Sequence, residues 1–183
     1  GSSALNAMLI AGIIAFGLIF IFMVLVYRLP GFVGGIALLG QVAGMIACVS
    51  GFLPNINSFT LTLPGIAGMI LSIGMGVDAN IITNERIKEE IRAGKSLDGA
   101  IKTGSHNSFS AIFDGNVTVI IVAVILMGVF GPPNSFWNKL LTPVLFWAGT
   151  TTTGAVYSFG YTLLIGVVFN FIMGVTASRL MLK

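Results

Sequence analysis

Five polar side chains interrupt otherwise apolar runs of this chain. Asp78 and Asn80 lie in LTLPGIAGMILSIGMGVDANIITNERIKEE (Leu61–Glu90), and Asp114, Asn116 and Thr118 lie in SFSAIFDGNVTVIIVAVIL. An ionised carboxylate inside hydrocarbon is costly and needs a partner, a water path or a proton. Asp78 precedes Glu85 by seven residues and Asp114 follows His106 by eight. At 1.5 Å per helical residue, each carboxyl therefore sits roughly 10–12 Å inside the charged boundary. The two runs are consecutive, hence antiparallel, which would put both carboxyls at one level of a membrane. Burial disfavours an ionised Asp, and a second carboxylate nearby disfavours it further. Such surroundings bring a carboxyl toward titration near neutral pH, where a proton carrier works. We therefore expect Asp78 to take and release a proton from a shielded position inside a helical bundle, with Asp114 as its companion and Asn80, Asn116 and Thr118 as polar support. The alternative is that Asp78 is a neutral acid gluing two helices through Asn116 or a backbone carbonyl, worth about 1 kcal/mol.

The basic residues sharpen that choice. All nine Lys and Arg lie at run boundaries, in connections or at the terminus. None is available deep in a bundle to neutralise Asp78 or Asp114. Either the carboxyls are protonated at rest, or another polypeptide supplies the cation.

Other chemistries find little support. His106 stands beside a basic connection and reads as a solvated boundary histidine. One His and one Cys leave no metal-ligand set, so neither metal nor cofactor is expected. No Ser/His/Asp or Cys/His arrangement exists for nucleophilic catalysis, so no catalytic residue and no enzyme activity is expected. Gly94-Lys95-Ser96 imitates the end of a phosphate-binding loop, but Glu89 occupies the place of its first glycine and no strand precedes it. Asn116-Val117-Thr118 matches a glycosylation triplet in the middle of an apolar run and is set aside.

The elements that must hold these residues are membrane helices. The 183-residue chain is 56% hydrophobic and 8% charged, with mean hydropathy +1.01; soluble domains carry about 25% charged residues. The net charge of +3 is spread over span ends, which is a topology signal and excludes a nucleic-acid footprint. Five runs reach the ~20 apolar residues that a spanning helix needs: about 5–27, 32–52, 59–82, 109–130 and 157–180. An all-α polytopic bundle follows, forming a single domain over 1–183.

Between the third and fourth spans, residues 84–106 read as a cytoplasmic linker of two short amphipathic helices on the membrane surface, the second capped by Ser96. Glu89 with Arg92 and Arg86 with Glu90 are spaced to pair. Residues 131–153 hold Gly131-Pro132-Pro133-Asn134, an apolar stretch too short to cross, Trp137 and Trp147, and read as an outer-side interfacial or re-entrant segment. Eight of the nine basic residues fall on one side and only Lys139 on the other. The positive-inside rule then puts the N-terminus outside and the C-terminus in the cytoplasm. An outside start without an export signal, behind Gly1-Ser2-Ser3 rather than Met, reads as a fragment with a span or domain before it. Small residues such as Gly31/Gly35, Gly40/Gly44, Gly65, Gly68, Gly74 and Gly76 suit close helix packing.

LPGIAGMILSIGMGVDANIITNERIKEEIRAGKSLDGAI, then SFSAIFDGNVTVIIVAVIL and the closing LLIGVVFNFIMGVTASRLML, resemble the SecD family of bacterial protein-export membrane proteins, within the RND superfamily. The resemblance runs from about Leu5 to the end and is most specific at Gly74–Arg86 and Phe109–Thr118. It implies a SecD-type membrane domain in the bacterial inner membrane, holding the family's second to sixth helices. The implied partners are a SecF-like half, the SecYEG translocon, secreted preproteins and membrane lipids, with no nucleic acid. It also implies use of the proton-motive force to assist translocation. Asp78 matches the family's essential aspartate in GxxVDAN and Asp114 that of the following helix; the family's membrane arginine belongs to the SecF half. The family's first helix and large outer domain have no counterpart in these residues, and 131–153 is longer than the turn expected there. Two rivals remain: a proton-coupled RND exporter of small molecules or lipids, and a non-transducing membrane scaffold.

Overall fold

The computed structural model describes residues 2–50, 62–132, 136–141, 143 and 154–177. Among the described residues there are helices and no strands. They are α1 (Ser2–Tyr27), α2 (Leu29–Val49), α3 (Leu63–Arg92), α4 (Leu97–Phe130), the short α5 (Phe136–Leu141) and α6 (Gly154–Phe169), which continues as a π-helical segment (Asn170–Ala177). Five of these helices are long and apolar enough to cross a membrane. The chain is a multi-pass helical membrane protein.

Local chemistry sets the breaks. Pro30 and Pro64 stand in the first turns of α2 and α3, where a missing N–H costs nothing. Thr62 caps α3 by accepting from the Gly65 N–H at 3.2 Å. A one-residue turn at Arg28 joins α1 to α2. Gly31 is obligatory there, because a side-chain carbon at that position would run into the Met23 carbonyl.

α3 and α4 depart from expectation. Residues 84–106 do not form two separate surface helices. α3 runs unbroken to Arg92 and α4 starts at Leu97, so the polar residues are the ends of two long helices. Thirty residues make α3 about 45 Å long, well beyond a ~30 Å hydrocarbon layer. Good helix formers such as Glu, Lys and Arg carry it on past the membrane. Gly94 ends it at φ 88°, with its N–H on the Ile91 carbonyl and the Lys95 N–H on that of Glu90. Ser96 then caps α4 by accepting from the Gly99 N–H at 3.3 Å, as the sequence predicts. The ion pairs also differ. Arg86 pairs with Glu89 at 2.8 Å, and Glu90 with Lys95 at 2.6 Å. At the foot of the hairpin the Lys88 ammonium bonds Glu85 at 3.3 Å and stands 4.2 Å from the ring centroid of Tyr27, tying the end of α1 to α3.

Among the described residues the core is built around α3, which packs most extensively on α6 and α4, while α1 leans mainly on α2 and the edge of α3. α1 carries a broad exposed apolar surface, including Ile13, Leu18 and Leu25. That face suits lipid. At the α2–α3–α6 junction the buried Gln41 amide donates to the Ser72 carbonyl at 3.0 Å and weakly to that of Gly166 at 3.4 Å. Glycines let these backbones meet. A side-chain carbon at Gly76 would strike the Gln41 amide, one at Gly68 the Thr162 hydroxyl, and one at Gly166 that of Ser72.

Part of the expected outer-side segment 131–153 lies outside the described residues, Trp147 and the Thr150–Thr153 tract included. What is described is the exit from α4, the short α5, and Asn138, whose amide donates to the Gly128 carbonyl at 2.9 Å. Gly51–Leu61 and the basic residues Arg179 and Lys183 are likewise outside it.

Candidate functional site

α3 turns one stripe inward: Gly65, Gly68, Ser72, Gly76, Asn80, Thr83 and Ile87 are among its buried positions. At 3.6 residues per turn Asp78 falls roughly opposite the middle of that stripe. Its side chain is accordingly exposed on this chain. The expectation that Asp78 lies inside this chain's own bundle is therefore corrected. Asp78 instead lines an open groove of about 290 Å³ between α3 and α4, with Met75, Ala79, Ile82, Ala111, Ile112, Gly115, Asn116 and Val119 as the other walls. Its carboxyl makes no hydrogen bond or ion pair with any described residue, so it glues no helices among them.

The five polar residues singled out by sequence separate in space. Asn116 joins Asp78 in the groove. Asn80 is buried and turns toward α2, where a side-chain carbon on Gly34 would come within 3.4 Å of it; its amide donates to the Gly76 carbonyl at 3.0 Å. Asp114 and Thr118 lie on the exposed face of α4, outside the groove walls, with the Thr118 hydroxyl donating to the Asp114 backbone carbonyl at 3.2 Å. Asp114 sits roughly opposite the buried stripe of Ser108, Ile112 and Ala123, for the same helical reason as Asp78. The carboxyls of Asp78 and Asp114 are thus not a pair facing one another across a dry interior. His106 is exposed in the N-terminal part of α4.

Behind the groove the structure adds residues that sequence reasoning passed over. Asn170, buried to 1% exposure in the last span, donates from Nδ2 to Asn116 Oδ1 at 3.1 Å. Asn116 in turn donates from Nδ2 to the Ile112 carbonyl at 2.6 Å. Thr83 on α3 and Ser108 on α4 exchange a buried hydrogen bond at 3.2 Å nearer the α3–α4 turn. Gln41 and Asn170 were visible in principle: each is a single amide within a long apolar run, where polar groups mark packing or function.

The groove presents one carboxyl, walled by apolar carbons and one amide. The walls at Ala79, Ala111 and Gly115 are low, and a side-chain carbon at Gly115 would meet nothing within 4 Å. Another helix can approach such a surface closely. Among the described residues no cluster of three or more His, Cys, Asp and Glu could hold a metal.

Comparison with known proteins agrees with the sequence resemblance. The chain is 45% identical over 95% of its length to protein translocase subunit SecD of Leptotrichia buccalis, covering 36% of that protein. Over its whole length it is 38% identical to protein translocase subunit SecDF of Bacillus subtilis, covering 21% of it, and 37% identical to SecD of Synechocystis, covering 33%. The chain thus spans about a third or less of the length of these relatives. The profile of the MMPL family matches residues 2–131, and the chain belongs to the MMPL family.

Proposed function

We propose that this chain is the membrane domain of a SecD-type subunit of the bacterial Sec protein-export machinery, working with a SecF-like half and the SecYEG channel to assist translocation of secreted preproteins. On this reading it crosses the inner membrane with its N-terminus outside and its C-terminus in the cytoplasm. Asp78 is the residue that binds and releases the proton, and Asn116 is the polar group beside it in the groove, with Asn80, Asp114 and Thr118 outside the groove walls. Motion rather than catalysis is the output, and residues 131–153 lie on the outer side.

One observation carries the proposal. Asp78 stands about 10 Å along α3 from Glu85, on an apolar groove whose walls hold no cation and no other titratable group. A carboxylate left there facing lipid would be costly. A second polypeptide closing over the groove would shield it and could bring the missing cation. Protonation then removes a charge at the contact between two bodies and shifts the balance between two arrangements of them. The names of the relatives, translocase subunits SecD and SecDF, support the pathway.

The test is Asp78→Asn in the intact complex. Proton-dependent stimulation of preprotein translocation and proton flux through the reconstituted complex are both expected to be lost, with assembly intact. Retained stimulation would reject the role of Asp78. Normal secretion together with accumulation of a dye or lipid would favour a small-molecule or lipid exporter instead.

A further inference from the structure

Asn116 is the polar wall of the groove that holds Asp78. An amide has an acceptor at one end and two N–H donors at the other. Which end faces a ligand depends on what occupies the rest. Here Asn170 Nδ2 donates to Asn116 Oδ1 at 3.1 Å, and the Ile112 carbonyl takes one Asn116 N–H at 2.6 Å. The acceptor end is thus turned toward Asn170. The second N–H is what Asn116 has left to offer the groove.

Asn170 is itself held by an unusual backbone. α6 changes from α to π geometry at this residue. π geometry is rare in protein helices. The wider turn lets two successive residues face α4: Asn170 bonds Asn116, and Phe171 packs 6.0 Å from Phe113 and against the Ala79–Ile112 cluster. Asn170 is buried to 1% exposure, and its own Oδ1 has no hydrogen-bond partner among the described residues. A buried amide with an unpaired oxygen is a cost that packing alone does not explain.

We propose that Asn170 is a positioning residue for proton binding at Asp78. By donating to Asn116 it holds that amide with its donor end toward the groove, and a donor there favours the ionised carboxylate. The inference rests on the reading that Asp78 exchanges a proton. The groove walls come from α3 and α4 and hold no titratable group besides Asp78; Asp114, on the outer face of α4, is the nearest acid along that helix.

The experiment uses the full-length protein in its membrane complex. A hydrophobic carbodiimide, which modifies only protonated carboxyls, reports the pH at which half of Asp78 is labelled, read by mass spectrometry. Asn170→Leu is expected to move that half-point up by about one pH unit, as the amide no longer holds its donor end toward the groove. Asn170→Gln, which restores an amide donor, is expected to return most of the shift. An unchanged half-point in Asn170→Leu, or the same shift in both variants, would overturn the proposal. Labelling of wild-type Asp78 that does not vary with pH would instead reject proton exchange at Asp78 itself. Should Asn170→Leu fail to assemble, infrared spectra of wild-type and Asp78→Asn protein with labelled asparagine decide. A side-chain carbonyl band that moves with pH in wild type, and is static in Asp78→Asn, supports the linkage; its absence in wild type refutes it.

Discussion

Gly104 makes the α3–α4 contact possible, and replacing it is the sharpest test of the packing that sets the groove. A side-chain carbon on Gly104 would stand 2.8 Å from the backbone nitrogen of Ile87 and 2.9 Å from its Cα. These are backbone atoms of a helix, so no rotamer change relieves the collision. Comfortable carbon contacts lie at about 3.5–4.0 Å, so the helices would have to part by roughly 0.7 Å or more at the crossing. Overpacking of this kind costs about 1–3 kcal/mol. Alanine also gains about 1 kcal/mol over glycine in a helix, which hides part of the loss. Gly115→Ala, on the same helix but with nothing within 4 Å, carries that gain without the collision. The difference between the two variants, about 1–3 kcal/mol in favour of Gly115→Ala, cancels helix propensity and isolates the contact. Reversible unfolding of the full-length protein in mixed detergent micelles measures it. Equal stabilities for Gly104→Ala and Gly115→Ala would show that α3 and α4 do not cross at Ile87 as described.

Two further expectations concern the frame around the site. Gly76→Ala should be destabilising because the new methyl meets the Gln41 amide, and Gln41→Ala should relieve it; a double-mutant cycle is expected to show coupling of about 0.5–3 kcal/mol, while simple additivity would refute the contact. Glu85 is held below its ordinary value of 4.5 chiefly by the Tyr27 hydroxyl and then by Lys88. With a depressed folded value, the unfolded state binds more protons, so this stabilisation is complete at neutral pH and is lost as pH falls below the ordinary carboxylate range. Tyr27→Phe is expected to flatten the rise in thermal stability between about pH 3 and about pH 6, and an unaltered slope would remove Tyr27 as the cause.

The sequence displays the fold because hydropathy and length speak directly to membrane helices, and the apolar runs around Phe20, Leu38, Ile73, Val124 and Leu164 could hardly be anything else. The facing of each helix is less legible. Every span here is apolar on all sides, since lipid and protein neighbours both accept apolar groups, and no amphipathic stripe says which way Asp78 points. Only the glycines and buried amides mark the inner face, and they do so through pairings such as Gly76 with Gln41 that need the third dimension. The polar ends of α3 and α4 were misread for a related reason. Charges after Thr83 mark where the membrane ends but not where the helix ends, and the helix stops only at Gly94, where the backbone turns left-handed.

The outward placement of Asp78 changes what kind of device the proposed proton site is. A carboxyl in the middle of one bundle would act on that bundle's own packing. A carboxyl on an exposed groove walled by Ala79, Ala111 and Gly115 acts on whatever covers it. Small residues at the rim allow a second helix to come close enough for its backbone or a cationic side chain to reach the acid. Charging Asp78 then strengthens that contact if the cover brings a cation, and weakens it if the cover is apolar. On the proposed reading, the free energy of the proton would in either case be expressed as relative movement between two bodies, while the α3–α6 packing that carries Asp78 would be left undisturbed. The glycine contacts at Gly68, Gly76 and Gly166 are what would make that half stiff enough to transmit such a movement.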